Sequence, residues 1–183
     1  GLYTVGVRVR THPVALALLP AAGIPVAAPS ANLFSRPSPT RAAHVLEDLD
    51  GRIDMVLDGG PTQVGVESTV LDLSGAVPVV LRPGAVTLDM LRPLLPDVRL
   101  RDGAATEGPQ RSPGLLAKHY SPRAPLTLYE GASDRARARL RADADAARAA
   151  GRRVGVFMPE DDAAAVAARL YAALREFDAD GVD

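Results

Sequence analysis

Apolar and polar residues alternate in short blocks along the first hundred residues of the chain. We expect blocks with a two-residue period to form strands and blocks with a helical period to form helices. The predicted strands are 4–9, 25–28, 53–57, 67–73 and 77–81. The predicted helices are 13–22, about 38–49 and about 87–95. The last two strands flank Ser74-Gly75-Ala76, a turn sequence that predicts a β-hairpin.

Residues with capping chemistry mark the ends of two of these helices. Ser38 suits the N-cap of the second helix and Pro39 its first helical position, while Asp50-Gly51 suits its C-terminal end. Thr87 is expected to cap the third, short helix. Both helices are therefore predicted to begin directly after a loop.

A second unit follows after a segment without periodicity. Residues 102–124 are rich in Gly, Pro, Thr and Ser and are predicted to form an extended linker. Beyond it, strand, helix, strand and helix patterns follow at 126–129, 134–149, 154–158 and 162–177. This β-α-β-α order predicts a parallel, Rossmann-like unit, and without a glycine-rich fingerprint we expect no cofactor site in it. The sequence thus predicts an α/β protein with domains at 1–101 and 125–183.

Composition excludes several classes of protein but does not identify a function. The chain has 183 residues, a formal net charge of −1 and no cysteine. The charge argues against a domain that holds nucleic acid by electrostatics alone, and the lack of cysteine excludes disulfides and thiolate zinc sites. No apolar run reaches the roughly 20 residues of a membrane span, so we expect a cytoplasmic location without membrane contact. The abrupt strand-like start and the final turn predict a chain truncated at both ends.

The loop at 29–39 carries the most distinctive polar chemistry. It leads into a predicted helix N-terminus, where free N–H groups and the helix dipole favour a bound phosphate. The hydroxyls of Ser30, Ser38 and Thr40, with the Asn32 amide, would add uncharged donors. The alternative is an ordinary loop in which Ser38 only caps the helix. Residue types alone leave both interpretations open.

Two further clusters lie outside that loop. Ser68 and Thr69 put adjacent hydroxyls at the start of a predicted strand. Arg82 ends another strand, where its guanidinium suits bidentate phosphate binding but can also be merely solvated. Arg8 and His12 lie four residues apart at a strand-to-helix junction, where a histidine is more commonly a capping or surface residue. No role for His12 follows from its position alone.

Four motifs in order carry a resemblance to a known family. They are PSANLFSRPSPT at 29–40, LDGGPTQVGVESTVLDL at 57–73, LRPGAVT at 81–87 and SPGLLAKHYSP at 112–122. The first three resemble the YrdC-like catalytic domain of threonylcarbamoyl-AMP synthases, and the fourth resembles the linker of the long, two-domain members. The resemblance covers residues 1–125 motif by motif, and the tail agrees in element order only. It departs at Phe34-Ser35, where the family commonly has Ser-Gly and Gly permits conformations that Ser disfavours.

The resemblance implies a fold and a reaction. The implied fold is an incomplete, twisted YrdC-like α/β domain, a linker that acts as a lid, and a partial Rossmann-like domain. Members of the family condense threonine with bicarbonate to a carbamate, which attacks the α-phosphate of ATP and expels pyrophosphate. The product serves threonylcarbamoyladenosine modification of tRNA, so tRNA or a tRNA-modification complex is an expected partner. Positioned donors and cations are then the main catalytic devices, and no nucleophile is assigned.

The resemblance also implies the roles of individual residues. The residues expected to contact ATP are Arg8, Ser30, Asn32, Thr40 (with Ser38 as its alternative), Arg82 and Tyr120. Those expected to contact threonine are His12 and Ser68. Tyr120 would fold over the nucleotide as a lid that excludes water, and the alternative for it is an aromatic side chain packed between domains. Magnesium is expected to accompany ATP, and no residue is named as its ligand.

An incomplete catalytic domain limits what this chain is expected to do. We expect the family's N-terminal third, which supplies a lysine and an arginine of the nucleotide site, to be absent from this chain, and we therefore expect poor ATP binding, little catalysis and exposed apolar sheet surface. One alternative is a non-catalytic RNA- or tRNA-binding module of the same fold, which the near-neutral charge disfavours. Another is the YrdC-like carbamoyl-transfer domain of hydrogenase-maturation proteins. A serine hydrolase built on Ser68 lacks the G-x-S-x-G elbow.

Overall fold

The computed structural model describes residues 3–102, 121–158 and 162–183 of the chain. Its helices are α1 (Pro13–Ala22), α2 (Ala42–Leu49), α3 (Leu88–Leu91), α4 (Ser133–Ala149) and α5 (Ala163–Ala179). Its strands are β1 (Val70–Asp72), β2 (Val79–Arg82) and β3 (Arg99–Leu100). Helices and a sheet both occur, as the predicted α/β class requires. Across the described ranges, we find no helix whose length and apolar character would carry it through a bilayer.

The three strands form one small mixed sheet in the order β1-β2-β3. β1 and β2 pair antiparallel, with Val70 opposite Arg82, which confirms the predicted hairpin. β3 pairs parallel to β2 and was not predicted, because a two-residue strand carries no measurable alternation. Parallel neighbours need a crossover connection, and α3 lies on it. Arg82 therefore ends the central strand of the sheet.

Capping by side chains explains where several helices begin. The Nδ1 atom of His12 accepts a hydrogen bond from the Val14 N–H at the start of α1. The hydroxyl of Thr87 accepts from the N–H of Met90 at 3.3 Å, so the predicted cap of α3 is confirmed, although α3 ends at Leu91 rather than near 95. Asp162 caps α5 in the same way. The starts of α1, α3 and α5 are thus set by local chemistry that the sequence displays.

The predicted start of α2 at Ser38 and Pro39 is wrong. The helix begins at Ala42, and its N-cap residue, Arg41, has an extended backbone without a side-chain cap. Ser38 cannot cap the helix because its hydroxyl donates instead to the Glu67 carboxylate, 29 residues further along. A long-range hydrogen bond therefore overrides the local capping signal.

Five predicted strands are not part of any ladder among the described residues. They are 4–9, 25–28, 53–57, 126–129 and 154–158. A strand is stabilised by a hydrogen-bonded neighbour, and alternation reports only that the side chains suit one. Val5, Val7 and Val9 accordingly stand 85%, 86% and 88% exposed. The helices of the predicted β-α-β-α unit are present as α4 and α5, but its two strands are not paired with each other.

Helix α5 packs against the N-terminal half of the chain. The N–H of Gly65 donates to the Ala167 carbonyl of α5 at 2.9 Å. A Cβ atom at Gly65 would lie 2.9 Å from that same oxygen, so only glycine permits the approach. The buried side chains of Tyr171 and Leu174 lie on the following turns of the helix. This packing brings α5 to the loop at 29–39 described below.

Candidate functional site

The polar loop at 29–39 has two strained backbone positions. Ala31 and Ser35 adopt left-handed conformations, with φ of 56° and 65°. Ser35 stands where the resembling family commonly has Gly, and it keeps the backbone conformation that Gly adopts readily. Such conformations cost a non-glycine residue about 1–2 kcal/mol and persist only where the surroundings hold them. Contacts that hold this loop should therefore be found around it.

The substitution Ser35→Gly is expected to stabilise the protein slightly. It relieves the left-handed strain of about 1–2 kcal/mol but adds about 0.4–1 kcal/mol of chain entropy to the unfolded state. The free energy of unfolding in urea should rise by up to about 1 kcal/mol. Ser74→Gly, in the hairpin turn, is the matched control and should lower it, because φ is not positive there. A loss of stability in Ser35→Gly would contradict the strain.

Asn32 presents an unpartnered acceptor within this loop. Its Nδ2 group donates to the carbonyls of Leu33 at 2.8 Å and Arg36 at 3.2 Å. Its Oδ1 atom is buried and has no hydrogen-bond partner in the described part of the chain. The amide orientation is fixed, because a flipped amide would face two carbonyls with its own oxygen. The expectation that Asn32 adds donors for a phosphate is wrong in this conformation; it offers a hydrogen-bond acceptor.

The carboxylate of Asp48 on α2 fastens the loop. Its side chain has no exposed surface, accepts from the Leu33 N–H at 3.3 Å, and pairs with the guanidinium groups of Arg36 and Arg175. Burial alone would raise the pKa of Asp48, but the hydrogen bond and charge of Arg175, followed by the charge of Arg36, outweigh it and lower the pKa below its usual value. Asp48 is therefore ionised and links the loop to α5.

A second cluster joins Ser38, Glu67, Ser68 and Arg82. The Arg82 guanidinium lies 3.5 Å from the Glu67 carboxylate, and its Nε donates to the Ser68 carbonyl at 3.0 Å. Ser38 donates to the same carboxylate. Arg82 is only 8% exposed, so the alternative of a solvated strand-end arginine is wrong. The structure thus brings together two residues predicted for the site, Ser68 and Arg82, around an acid that was not predicted, Glu67.

Glycine at position 84 lets the second cluster close. A Cβ atom there would lie 2.7 Å from the carbonyl carbon of Ser68 and would also clash with the backbone at Glu67 and Thr69. The turn after β2 therefore rests directly on the backbone of 67–69. This contact fixes the Ser68 carbonyl that Arg82 binds.

Thr40 is buried and is oriented by His44. The Arg41 Nε group donates to His44 Nε2 at 2.8 Å, and the Thr40 backbone N–H donates to His44 Nδ1 at 3.3 Å. Nδ1 also lies 3.3 Å from the Thr40 hydroxyl oxygen. The Ser38 hydroxyl, by contrast, donates its proton to the Glu67 carboxylate. The ATP contact at Thr40, with Ser38 as its alternative, stays a prediction.

Acid is expected to weaken the fold through His44. Burial first, and then the charges of Arg41 and Arg175, lower the pKa of His44, although Glu47 and Glu176 oppose the shift. The unfolded chain therefore binds the proton at a higher pH, near 6.5, than the folded chain does. The His44 contribution to stability is complete above that pH and is lost progressively as the pH falls towards the folded pKa.

Urea unfolding between pH 5 and 8 measures this dependence. His44→Gln keeps an acceptor for Arg41 but cannot titrate, so its unfolding free energy should fall less on acidification than that of the wild type. Equal slopes in the wild type and His44→Gln would overturn the assignment.

A cavity of about 130 Å³ borders Thr40. Its wall includes Gly59 and Gly60, and the imidazole of His12 rests on Gly59, where a Cβ atom would lie 2.5 Å from His12 Cε1. The N–H of Thr62 also donates to the Thr40 carbonyl. Pockets for drug-sized ligands run to roughly 300–1,000 Å³, so this cavity suits a small molecule rather than a whole nucleotide.

The remaining residues predicted for the site make fewer contacts with the two clusters around Asp48 and Arg82. Arg8, Ser30 and the Ser68 side chain are exposed, and in the described ranges no hydrogen bond or ion pair connects Arg8 or Ser30 to Asp48 or Arg82. Partial burial, followed by the charge of Arg8, lowers the pKa of Arg10. Tyr120 falls outside the described residues.

The described residues offer no grouped metal ligands. Within 3–102, 121–158 and 162–183, no three or more His, Asp or Glu side chains lie together so that they could hold a metal ion. These residues therefore do not form a protein cage for magnesium.

Several residues that shape the site were not predicted. Glu67 lies inside a quoted motif and His44 inside a predicted helix, yet nothing in their spacing marks His44 as buried or Glu67 as the partner of Ser38 and Arg82. Asp48 and Arg175 are 127 residues apart in the chain, so no local pattern can pair them. The signal that was available for Arg10 was its position two residues after Arg8, on the same face of an extended segment.

Two family models cover the chain. The Sua5–YciO–YrdC model, described as "Telomere recombination", matches residues 1–84. The model described as "Threonylcarbamoyl-AMP synthase, C-terminal domain" matches residues 86–183. The junction between the two matches follows directly after the turn at Gly84.

Curated relatives and solved structures agree with these models. The chain is 42% identical to the threonylcarbamoyl-AMP synthase of Bacillus subtilis (strain 168) over 201 residues, which is 100% of the chain and 57% of that protein. It is 37% identical to that of Pyrococcus abyssi (strain GE5 / Orsay), covering 100% and 58%. The chain thus spans less than two thirds of the relatives it matches. A crystal structure of P. abyssi Sua5 complexed with L-threonine superposes with a TM-score of 0.85 and 35% identity, over 94% of this chain and 54% of that one.

The sequence resemblance is therefore supported by independent sequence and structural matches. The motifs at 29–40, 57–73 and 81–87, which carried the resemblance, are the segments that meet around Asp48, Glu67 and Arg82. The model of the C-terminal domain alone matches more than half of the chain. The chain belongs to the threonylcarbamoyl-AMP synthase family.

Proposed function

We propose that the protein containing this chain is a threonylcarbamoyl-AMP synthase, a nucleotidyltransferase acting on L-threonine, bicarbonate and ATP. The observation that carries the proposal is the match of the whole chain to relatives of that name. The threonine amine adds to bicarbonate, with loss of water, to give a carbamate. A carbamate oxygen then forms a bond to the α-phosphorus while the bond to pyrophosphate breaks. The product would serve tRNA modification in the cytoplasm, with tRNA or a modification complex as partner.

The positive charge of two neighbouring arginines, Arg8 and Arg10, supports ATP binding. The pKa of Arg10 is lowered by burial and by Arg8, so two cations already repel each other there, and a bound polyphosphate would relieve that repulsion. Arg82 is engaged by Glu67, so a phosphate group would have to compete with that carboxylate for the guanidinium. Magnesium would enter with the phosphates of ATP.

Uncharged groups support recognition of the rest of the ligand. The Thr40 hydroxyl would donate to a developing phosphoryl charge, since the proton of its alternative, Ser38, is already held by Glu67. The free Oδ1 acceptor of Asn32 suits a ribose hydroxyl or the adenine amino group rather than a phosphate. His12 rests on Gly59 at the wall of the small cavity, which supports a threonine site there. Ser68 would be a second threonine contact. Ser30 would contact ATP, and Tyr120 would cover it as a lid.

The proposal includes the domain division expected from the sequence. A YrdC-like nucleotide-binding part would extend over 1–101, a linker over 102–124 and a partial C-terminal domain over 125–183. The pairing of β3 with β2 supports placing residues 99–100 with the first part, because they complete its sheet.

A product assay tests the proposed reaction. The full-length protein is incubated with ATP, magnesium, L-threonine and isotopically labelled bicarbonate, and labelled threonylcarbamoyl-AMP is sought by mass spectrometry. Residues 1–183 alone should give little product. No product from the folded full-length protein would overturn the proposal, and tRNA binding with a steep salt dependence would then favour the RNA-binding alternative.

A matched pair of variants tests the ATP contact at Ser30. Both Ser30 and Ser74 are exposed serines, but only Ser30 lies in the candidate loop. Losing one hydrogen bond to ATP should raise the KM for ATP roughly three- to tenfold in Ser30→Ala. Ser74→Ala should leave the KM for ATP unchanged. Identical values in both variants would remove Ser30 from the site.

A further inference from the structure

We propose that Arg175 of α5 is a positioning residue that holds the loop at 29–40 in its ligand-binding shape, so that the C-terminal domain sets the geometry of the nucleotide site. This inference rests on the proposed function, which assigns Ser30, Asn32 and Thr40 to ATP. Arg175 itself would touch no substrate. It would act through the loop backbone and through Asp48.

Arg175 is fully committed to the loop and its support. Its Nε and Nη2 groups both donate to the Pro37 carbonyl, at 3.0 and 2.7 Å. Nη2 also donates to Asp48 Oδ2 at 2.6 Å, and Nη1 lies 3.6 Å from the Glu47 carboxylate. The arginine is 4% exposed, and Pro37 is buried still more deeply. A side chain of the C-terminal part thus ends inside a loop of the N-terminal part.

The same contacts reach the strained part of the loop. Asp48, fixed by Arg175, accepts from the Leu33 N–H and pairs with Arg36. The N–H of Ser121, near the C-terminal end of the linker, donates to the Ser35 carbonyl at 2.9 Å and adds a second link to the loop. The left-handed conformation of Ser35 lies between these fixed points. Strain of this kind persists where surrounding contacts over-determine the backbone.

The contacts of Arg175 with Pro37 and Asp48 form a clamp on the loop, and this clamp also affects the candidate ligand contacts. The Asn32 amide is held by the carbonyls of Leu33 and Arg36, which flank the clamped segment. Thr40 follows Pro37 by three residues. Movement of 33–37 would therefore displace the Asn32 acceptor and the Thr40 hydroxyl together. A shift of about 1 Å in a positioning element can cost roughly 100-fold in rate.

Stability alone is a weak reason for this buried ionic cluster. Replacing such a cluster with apolar side chains of similar volume is often neutral or stabilising, because two charges must be desolvated. Bonds from one guanidinium to a loop carbonyl and to a carboxylate fix direction as well as distance. The geometry of Arg175 therefore suits positioning of the loop. An experiment can distinguish this role from a general contribution to stability.

The test compares Arg175→Lys and Arg175→Met with Arg152→Lys in the full-length protein. Lysine keeps the charge but lacks the planar fork that reaches Pro37, Asp48 and Glu47 together, so it remains useful if the methionine variant fails to fold. Arg152 is an exposed arginine of the same C-terminal part and serves as the control. Amide hydrogen exchange at Leu33 and Arg36 reports the loop, and the KM values for ATP and threonine report the site.

The expected result is selective. In Arg175→Lys, exchange at Leu33 and Arg36 should accelerate about tenfold or more, and the KM for ATP should rise by about tenfold while that for threonine stays within twofold. A merely structural arginine would lower the melting temperature and the active fraction without this split. Wild-type exchange in a folded Arg175→Lys would overturn the proposal. If the wild type makes no threonylcarbamoyl-AMP, the proposed function fails, while the exchange data still decide whether the clamp exists.

Discussion

Removing the Asp48 carboxylate should cost about 3–5 kcal/mol of unfolding free energy. In Asp48→Ala, the buried guanidinium of Arg175 loses its strongest partner and Arg36 loses its own. The Leu33 N–H is left without its acceptor as well. An uncompensated buried charge carries nearly its whole desolvation penalty, so the effect should exceed that of an ordinary surface mutation several-fold. Urea unfolding of the full-length protein, with the slope checked for two-state behaviour, measures it.

The control for Asp48 is a carboxylate without such an environment. Asp54→Ala removes an exposed aspartate six residues further on and should change the unfolding free energy by no more than about 0.5 kcal/mol. Asp48→Asn keeps an acceptor for Leu33 but loses the charge, so its cost should fall between the two. A loss below about 1 kcal/mol in Asp48→Ala would mean that the three groups find other partners, and the clamp would lose its support.

The acid dependence of this carboxylate follows from its lowered pKa. Because the folded pKa lies below the unfolded value near 3.9, the contribution of Asp48 is complete above that value and is lost as the pH falls through the folded pKa. His44 acts at higher pH, where acidification begins to charge the unfolded chain first. The two groups therefore weaken the contact between α2 and α5 in separate pH ranges.

The sequence predicted best those elements whose causes are local. The helix α1 has the predicted bounds, and Thr87 caps α3 as its side chain allows. The hairpin of β1 and β2 follows from two β-rich runs and a turn between them. Strand 4–9 has equally good alternation but no hydrogen-bonded neighbour in the described chain, so alternation alone did not make it a strand. Pairing depends on a partner that the local pattern cannot supply.

The sequence predicted which residues belong to the candidate site better than it predicted the contacts between them. Ser68 and Arg82 were expected separately, and the structure joins them through a carbonyl that no motif reveals. Ser38 suits an N-cap by its position, but Glu67 takes its proton. Arg175 lies in an alanine-rich helix that the sequence predicts as part of a Rossmann-like unit. Its contact with the Pro37 carbonyl is seen only in the folded chain. Long-range ion pairs fixed the loop, and single-sequence patterns do not encode them.

The contact between α5 and the N-terminal half depends on one glycine. A Cβ atom at Gly65 would lie 2.9 Å from the Ala167 oxygen and would also clash with the backbone at Ala168. Both obstacles are helix backbone, which cannot move aside as a flexible side chain does. Gly65→Ala should therefore push α5 away, break the Gly65 to Ala167 hydrogen bond, and lower the unfolding free energy by about 2–4 kcal/mol.

Gly75→Ala separates this effect from the general consequence of replacing glycine. Gly75 lies in the hairpin turn, its φ is not positive, and the nearest atom to an added Cβ is the Val77 oxygen at 3.9 Å. Its stability should stay within about 0.5 kcal/mol of the wild type or rise slightly. Because Arg175 is carried by the same helix, Gly65→Ala should also accelerate amide exchange at Leu33 and Arg36. A destabilised Gly65→Ala with unchanged exchange there would show that α5 can shift without releasing the loop, and positioning by Arg175 would then be wrong.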